Sequence, residues 1–345
     1  MNRNYSILCV IPSPQDATSF YRAAGPLSHL RKRYNISLML GDSIDWVKVA
    51  MCDMVFIQRP YSPAEAKLCR IFKTMNKPIW MDFDDDLFSI PSDNPCLSTY
   101  GTKSNQQAIG ECLELADVVS VSTEVLKQKY IRFNKNIRVI PNALNFDLFS
   151  HYCEPGKLPD EQNNVIMWRG SQTHHKDVMT VAPEIIEFAQ HDKDIHFEFI
   201  GDRLWFLTDR LDRDRTHLTG VMDPIVYHQY IYRCAPKIFI VPLCDHEFNR
   251  SKSNIAWLEA TFAGAVTIAP RMPEWTKPGV QTYDPNKKGD FLKVLKEVNN
   301  LNKSIRDSFV RDSWAHIMEY YTLDAVNHKR FKIIEALCNV GSATI

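Results

Sequence analysis

The sequence predicts an α/β protein with two Rossmann-like domains, whose parallel sheets face each other across a cleft. Three observations predict this fold. Apolar runs with β-branched or aromatic residues alternate with helix-period segments along the chain, and this alternation favours right-handed crossovers between parallel strands. The apolar runs are nearly continuous, as in strands that are covered on both faces. Six such runs fall in each half of the 345 residues, which fits two domains at roughly 150 residues per domain.

The strand and helix candidates follow one another in a regular order. Strands are predicted over residues 6–11, 36–40, 54–58, 78–83, 118–123 and 137–142 in the first half, and over 165–170, 196–201, 217–221, 237–243, 265–270 and 280–285 in the second. Helices between them are predicted over 63–75, 106–116 and 254–264, and the chain is expected to be helical from about residue 302 to its end.

A polar segment with two prolines, residues 149–164, separates the two sets of strands and is the best candidate for a linker. The predicted domains are therefore 1–150 and 160–310, followed by C-terminal helices over 311–345. Open parallel sheets bind their ligands beyond the carboxyl ends of the strands, and small-molecule sites concentrate between domains. Functional residues are therefore expected in loops that follow strands.

Composition excludes several classes of protein. The chain has 41 basic residues (Lys plus Arg) and 41 acidic residues (Asp plus Glu). It therefore has no net charge that would attract nucleic acid or anionic membranes in general. No apolar run approaches the roughly 20 residues that cross a bilayer, and no export cleavage pattern follows the first strand. The nine cysteines contain no CxxC pair, which argues against a disulfide framework or a structural zinc. We expect a cytoplasmic protein without stable membrane insertion.

The most informative loop follows the strand candidate 237–243 and runs into the helix candidate 254–264. It contains Arg250, Ser251, Lys252 and Ser253. A basic loop before a helix N-terminus is an anion site, because the unpaired amides and the helix dipole both favour negative charge. Glu259, within the helix, is suited to accept hydrogen bonds from a ribose diol. The alternative is a solvated helix cap with Glu259 on the surface.

A second loop, 167–178, follows the first strand of the second half. Arg169, Gly170 and Ser171 open it and Lys176 closes it. A turn of small residues allows the backbone to approach phosphate oxygens, which a lysine can neutralise. His174 and His175 allow either a metal site or ordinary polar loop residues. The sequence favours the second, because no third ligand is near.

Six segments in this order resemble glycosyltransferases of the GT-B fold, in the retaining group that contains glycogen synthases and mannosyltransferases. They are residues 53–60, 82–91, 115–130, 140–149, 168–177 and 242–270. The resemblance implies that the C-terminal domain binds a UDP- or GDP-linked sugar, with Arg169 and Lys176 near the diphosphate and Glu259 on the ribose. It also implies that the last helices cross back onto the N-terminal domain, which binds the acceptor.

The chain departs from this group at two places. The group has a Glu-x7-Glu pattern, but Ser251 stands where the first glutamate is expected, so Arg250 and Lys252 fill that loop instead. Most members have a Gly-rich loop after the first strand, whereas this chain has residues 12–26. Tyr21 and Arg22 are the candidate acceptor contacts there.

The acidic cluster Asp82, Asp84, Asp85 and Asp86 has three interpretations. It could hold Mn²⁺ or Mg²⁺, or cap a helix N-terminus. The preferred interpretation is that the cluster ends the fourth strand, where relatives of the resembling group carry a histidine near the reacting sugar. Asp84 or its neighbour Asp85 would there hold an acceptor hydroxyl or stabilise positive charge at the anomeric carbon. Asn142, at the hinge, is a further acceptor candidate.

The sequence thus predicts a glycosyltransferase that is retaining and needs no metal or other cofactor. The predicted catalytic residues are Asp84, Lys176 and Lys252. The predicted donor-binding residues are Arg169, Gly170, Ser171, Arg250, Ser251, Ser253 and Glu259, and the predicted acceptor-binding residues are Tyr21, Arg22, Asp85 and Asn142. A nucleotide-sugar epimerase and a non-catalytic nucleotide-sugar-binding module are the alternatives. The acceptor is expected to be a saccharide or metabolite hydroxyl, with a modified DNA base or a lipid less favoured.

Overall fold

Two six-stranded sheets, parallel throughout, form the framework of this computed structural model, which describes residues 4–13, 16–41 and 45–340. The first sheet has the order β2-β1-β3-β4-β5-β6 and the second β12-β11-β10-β7-β8-β9. The strands of the first sheet are β1 (Tyr5–Val10), β2 (Ile36–Gly41), β3 (Met54–Gln58), β4 (Ile79–Phe83), β5 (Val118–Val121) and β6 (Ile137–Val139). Those of the second are β7 (Asn163–Gly170), β8 (His196–Gly201), β9 (Thr216–Thr219), β10 (Pro236–Ile240), β11 (Val266–Pro270) and β12 (Gln281–Tyr283).

All twelve predicted strands overlap an observed strand, and the α/β fold with two parallel sheets is confirmed. The largest differences in boundary are at carboxyl ends. The candidates 137–142 and 237–243 end earlier, at Val139 and Ile240. Each contains a proline near its end, Pro141 and Pro242, which has no amide hydrogen for the ladder.

Helices cover both sheets. In the first half they are α1 (Ala17–Arg22), α2 (Ala24–Arg33), α3 (Trp46–Met51), α4 (Pro63–Thr74), α5 (Leu97–Tyr100), α6 (Lys103–Leu115) and α7 (Glu124–Tyr130). In the second half they are α8 (His175–His191), α9 (Trp205–Thr208), α10 (Pro224–Cys234), α11 (Glu247–Arg250), α12 (Ile255–Phe262), α13 (Asp290–Asn300), α14 (Lys303–Tyr320) and α15 (Leu323–Val340).

The last two helices pack on different sheets. Trp314 and Ile317 of α14 belong to the apolar core of the second sheet. Val326 and Ile334 of α15 belong to a core that includes Trp80 of β4. An ion pair between Arg33 of α2 and Asp324 of α15 (2.7 Å) adds to this contact. The chain therefore returns to the first sheet, and both sheets are tied together at this end.

The carboxyl ends of the two sheets face each other and are joined by polar contacts. Asn142 Nδ2 donates to Ser253 Oγ (2.8 Å), and Thr123 Oγ1 donates to the carbonyl of Ser251 (3.1 Å). Lys129 of α7 pairs with Glu247 of α11 (2.8 Å). These contacts bring together loops that follow strands in both sheets, which is where open parallel sheets bind ligands.

Within the described part of the chain, no helix is both long enough and apolar enough to cross a membrane.

Candidate functional site

A cavity of about 440 Å³ lies between the two sheets, at the carboxyl ends of their strands. Its wall on the first sheet includes Thr18, Tyr21, Asp84, Asp85 and Asn142. Its wall on the second sheet includes Trp168, Arg169, Gly170, Ser171, Thr173, His174, Tyr227, His228, Lys252, Ser253, Ile255, Ala256 and Glu259. Most of the predicted site residues are therefore brought to one cavity. Of the predicted loop 12–26, residues 14 and 15 lie outside the described residues.

The N-terminus of α12 opens on this cavity. Ser253, Ile255 and Ala256 line it, and the capping residue Asn254 makes no side-chain hydrogen bond to the first turn. The first amides of a helix have no partner within the helix, and the dipole gives them a partial positive charge. This wall therefore favours an anion, as the sequence predicted for this loop.

The loop between β7 and α8 forms the adjoining wall. Gly170 ends β7, Gly201 ends β8, and the two residues are paired in the sheet. Gly201 has φ +106°, and a Cβ there would lie 2.1 Å from the carbonyl oxygen of Gly170. A glycine is required at position 201 both by its backbone conformation and by this close approach. The small residue lets the loop with Ser171 and Thr173 reach the cavity.

Gly201→Ala is expected to lower the free energy of unfolding by about 1–3 kcal/mol, since a side chain at this positive φ is strained and meets backbone. Urea denaturation measures the change. Gly220→Ala is the matched control, because a Cβ at Gly220 meets nothing within 4 Å. Equal stability of the two variants would contradict the argument.

Glu259 lies in a buried polar cluster rather than on the surface. Its side chain is 3% exposed. Oε2 accepts from Arg169 Nε (2.7 Å) and from the Tyr227 hydroxyl (3.0 Å), and Oε1 accepts from the Tyr21 hydroxyl (2.8 Å). Burial, together with the charge of Glu259, holds the pKa of Tyr21 and of Tyr227 well above the ordinary value, so both hydroxyls stay protonated and donate. Glu259 thus orients Arg169.

Both residues of the contact between Tyr21 and Glu259 line the cavity, so the predicted place of Glu259 on a ribose and of Tyr21 on an acceptor stays a prediction. In this structure the two side chains bind each other across the cleft. Tyr21 also lies 3.0 Å from His228 Nε2, while His228 Nδ1 lies 2.6 Å from the carbonyl oxygen of Pro224. A tyrosine hydroxyl carries one proton, so Tyr21 can donate to Glu259 or to His228 at any one time. This contact makes Tyr21 part of the closure between the sheets.

The acidic cluster divides among four different cations. Asp82 pairs with Arg22 (2.7 Å) and Asp84 with Arg59 (2.7 Å). Asp85 pairs with Lys252 (2.7 Å), and Asp86 with Lys129 (3.0 Å). Asp86 also accepts from the amide of Phe88. Since each carboxylate faces its own cation, the four charges are neutralised separately rather than collected around one point.

Arg22, a predicted acceptor contact, lines the cavity but is buried and engaged with other residues of the first sheet. It is 1% exposed, and its Nε and Nη2 donate to both oxygens of Asp82 (2.9 and 2.7 Å). Nη1 donates to the carbonyl of Ile140 (2.5 Å) and to Asn142 Oδ1 (3.2 Å). Arg22 therefore holds Asn142 in place, and Asn142 in turn contacts Ser253 across the cleft.

Three predicted residues lie away from the cavity. Lys176 is exposed on α8 and pairs with Asp93 (2.9 Å), beside a second, open pocket of about 780 Å³. Arg250 is exposed and makes a double contact with Asp245 (2.5 and 2.9 Å). Ser251 is buried, and its hydroxyl donates to the carbonyl of Phe248 (2.7 Å). Arg250 and Ser251 belong to the turn at α11, and Lys176 belongs to the first turn of α8. Charge and spacing in the sequence do not reveal that these turns direct the three side chains away from the cavity.

Asp85 and Lys252 join the two walls inside the cavity. Burial alone would raise the pKa of Asp85, but Lys252 and Arg59 hold it below the ordinary value, so the carboxylate is ionised. Lys252 Nζ also lies 4.4 Å from the centre of the Phe248 ring. The ammonium group of Lys252 is therefore already positioned for an anion that enters the cavity. Before the anion binds, one carboxylate, that of Asp85, neutralises its charge.

The sequence argument did not assign Tyr227, His228 or a role for His174. Tyr227 and His228 lie on α10, whose start is defined by the cap residue Asp223 and by Pro224. Aspartate before a proline is a helix-start signal, and it follows a strand candidate. That signal indicates a helix N-terminus near the site, but not which face of the helix points into the cleft.

Comparison with known proteins identifies the fold. No protein-family model matches the chain, and no curated protein matches it in sequence. Solved structures match over nearly the whole chain. A glycosyltransferase from Rickettsia africae is 14% identical, with a TM-score of 0.65 over 97% of this chain and 99% of that one. Sucrose-phosphate synthase from Thermosynechococcus elongatus is 11% identical, with a TM-score of 0.66 over 98% of this chain and 100% of that one. HepE from Anabaena, solved in complex with UDP, is 12% identical, with a TM-score of 0.64 over 97% of this chain and 100% of that one.

The chain has the GT-B fold. This finding confirms the predicted architecture of two parallel sheets with a cleft between them. In this GT-B chain the cleft has one wall with a helix N-terminus, Arg169 and Lys252, and an opposite wall with carboxylates and hydroxyl groups. One wall thus suits an anion, and the other suits a ligand that donates hydrogen bonds.

Proposed function

We propose that this protein transfers a sugar from a nucleotide-diphosphate sugar to an acceptor hydroxyl. The observation that carries the proposal is the wall made by the α12 N-terminus, Arg169 and Lys252, in a cavity between the carboxyl ends of two parallel sheets. Helix amides and fixed cations in a cleft are suited to a diphosphate. The complex of HepE with UDP, a structure with the same fold, supports a nucleotide diphosphate as the ligand class.

In the proposed donor complex, the diphosphate lies against the amides of Ser253 and Ile255. It replaces Asp85 as the partner of Lys252, because two negative groups then compete for one ammonium group. Arg169 lies on the same wall and is held at its Nε by Glu259 (2.7 Å). The positions of these cations are fixed before the reaction, so little reorganisation is needed as charge develops on the leaving diphosphate.

The acceptor would bind on the wall of the first sheet. When the donor takes Lys252, the carboxylate of Asp85 becomes free to accept a hydrogen bond from an acceptor hydroxyl. Asp84 stays paired with Arg59 (2.7 Å) on the same wall; burial raises the pKa of Asp84, and Arg59 acts in the opposite direction. Closure by the contact of Tyr21 with Glu259 would exclude water that otherwise hydrolyses the donor.

We further propose that the reaction retains configuration and needs no metal. Glu259 faces Arg169 at 2.7 Å and accepts from two tyrosine hydroxyls, which disfavours it as a strong base that activates the acceptor for inversion. Lysine, arginine and a helix dipole already provide the positive charge that a divalent cation provides at other phosphate sites.

A thermal-shift screen with UDP, GDP, UDP-glucose and GDP-mannose tests the donor, with and without EDTA. A ligand at about 100 times its dissociation constant should add about 2.7 kcal/mol of stability, and EDTA should not remove the shift. Donor hydrolysis and transfer to a panel of saccharides then test catalysis, and NMR of the product identifies the anomer. No shift with any nucleotide would contradict the proposal. Epimerisation of the donor alone, or binding without turnover, would select one of the two alternatives.

A further inference from the structure

A histidine at the end of the loop between β7 and α8 contacts an aspartate in the first turn of α8, and the proposed function has not used this pair. His174 is the N-cap residue of α8, and Asp177 lies in the first turn of that helix. His174 Nδ1 lies 2.9 Å from Asp177 Oδ2. His174 is one of the residues that line the cleft cavity, on the same wall as Ser171 and Lys252.

The aspartate of this pair is buried and firmly held. Asp177 is 4% exposed. Its Oδ1 accepts from the amide of Cys244 (2.8 Å) and from Asn249 Nδ2 (2.7 Å). Burial alone would raise the pKa of Asp177, but His174 and these two donors hold it below the ordinary value, so Asp177 is an anion.

An ionised Asp177 fixes the tautomer of His174. A carboxylate is acceptor-only, so Nδ1 of the imidazole carries a hydrogen and donates it. The other nitrogen, Nε2, is left for a ligand in the cavity. The N-terminus of α8 by itself disfavours a positive charge on this ring, and the adjacent Asp177 offsets that effect. The ring can therefore exist as an imidazolium whose Nε2 hydrogen is available to the cavity.

The geometry points to His174 as a catalytic residue, which donates a proton from Nε2 to the phosphate oxygen that leaves the sugar. This inference rests on the proposed function, because it requires a nucleotide-diphosphate donor. His174 follows Gly170, Ser171 and Thr173 in the loop that faces the α12 N-terminus. It is therefore placed on the donor wall rather than on the acceptor wall.

The proposed step conserves atoms and electrons. The bond between the anomeric carbon and the phosphate oxygen breaks, and its electron pair stays on that oxygen. The Nε2 proton of the His174 imidazolium moves to the same oxygen. The acceptor oxygen forms the new bond to the anomeric carbon and loses its own proton, which restores the imidazolium through solvent.

Several charged or titratable groups surround the ring. They are Asp177 and Lys176 of α8, Cys244 after β10, Asp85 after β4 and Lys252 before α12. Of these, the carboxylate of Asp177 is the group in direct contact with the ring.

His174→Gln tests the inference, with His191→Gln at the exposed far end of α8 as the control. With UDP-glucose as donor, His174→Gln should lower kcat by about 100-fold or more, the range for losing a general acid. The UDP dissociation constant should stay within about threefold, since the loss is specific to the transition state. His191→Gln should behave as the wild type.

NMR of the His174 ring gives a readout apart from activity. The Cε1 resonance that disappears in His174→Gln identifies the ring, and UDP should shift this resonance, because the phosphate then lies beside the ring. A resonance that UDP leaves unchanged, or a variant with wild-type kcat, overturns the role of His174. If the wild type turns over the donor, either of those results leaves the proposed function intact. A wild type that binds neither UDP nor GDP overturns both.

Discussion

Replacing Asp82 with alanine is expected to lower the free energy of unfolding by about 3–5 kcal/mol, the range for removing one partner of a buried ion pair. Asp82 and Arg22 are almost fully buried, with side chains 2% and 1% exposed, and they form a double contact. Ser120 Oγ also donates to Asp82 Oδ2 (2.5 Å). The variant leaves a buried guanidinium without its carboxylate.

A second buried arginine increases this expected loss. Arg330 of α15 is 1% exposed and has a hydrogen bond to Asn327 Oδ1 (3.1 Å). Burial and the adjacent charge of Arg22 lower the pKa of Arg330 to about 9, while Asp82 acts in the opposite direction. Arg330 remains charged at pH 7, so Asp82 offsets the charges of two arginines. Without it, two cations face each other in the core.

Urea denaturation at pH 7 measures the effect, and Asp312→Ala on the exposed face of α14 is the control, with an expected change within about 0.5 kcal/mol. If Asp82→Ala does not fold, Asp82→Asn replaces it in the test. The asparagine keeps the shape of the side chain but has two acceptor sites fewer. Its loss of unfolding free energy should therefore be smaller than that expected for Asp82→Ala and larger than that of the control. A loss at Asp82 equal to that at Asp312 would show that the buried pair contributes little.

Lys252→Ala is expected to lower kcat/KM for the donor by about 10- to 100-fold. A hydrogen bond to a charged group contributes about 1.5–3 kcal/mol, and each 1.4 kcal/mol is a factor of about ten. Lys252 is the cation inside the cavity beside the α12 N-terminus, and Asp85 already holds its ammonium group in position at 2.7 Å. Steady-state kinetics with varied donor measure the change.

Asp85→Asn separates the phosphate role of Lys252 from its role in joining the walls. Both substitutions remove the ion pair, but Asp85→Asn leaves the lysine without its competing carboxylate. UDP should therefore bind more weakly to Lys252→Ala and more tightly to Asp85→Asn, as measured by calorimetry. Lys296→Ala, on the surface of α13, is the control for loss of charge. Weaker UDP binding by both variants would assign Lys252 to closure rather than to phosphate.

The strand pattern was readable in the sequence because both sheets are parallel and covered on both faces. A strand such as β4 is buried along its whole length, so it is apolar except at Asp82, which is paired with Arg22, and such runs differ clearly from the helices between them. The loops that form the cavity were also predictable, because a parallel sheet places its carboxyl ends at one edge. Gly170, Ser171, Ser253 and Lys252 were found in this way.

The partners of the charged residues could not be read in the same way. Arg22 and Asp82 are 60 positions apart, and Glu259 is 238 positions from Tyr21. Loop composition predicted Arg250 and Lys176 as phosphate contacts as readily as Lys252. The direction of each side chain depends on the turn that carries it, and for Arg250 and Lys176 that direction leads to Asp245 and Asp93.

The sequence by itself determined the two parallel sheets, the order of their elements and the loops that meet in the cleft, because these depend on local hydrophobic pattern and on chain order. Only the tertiary structure decided which charges face the cavity and which neutralise one another. Ion pairs depend on distances of a few ångströms between residues far apart in the chain, and packing of the two sheets sets those distances. That is why a histidine assigned to an ordinary loop lies against a buried aspartate, while two predicted phosphate contacts point away from the cavity.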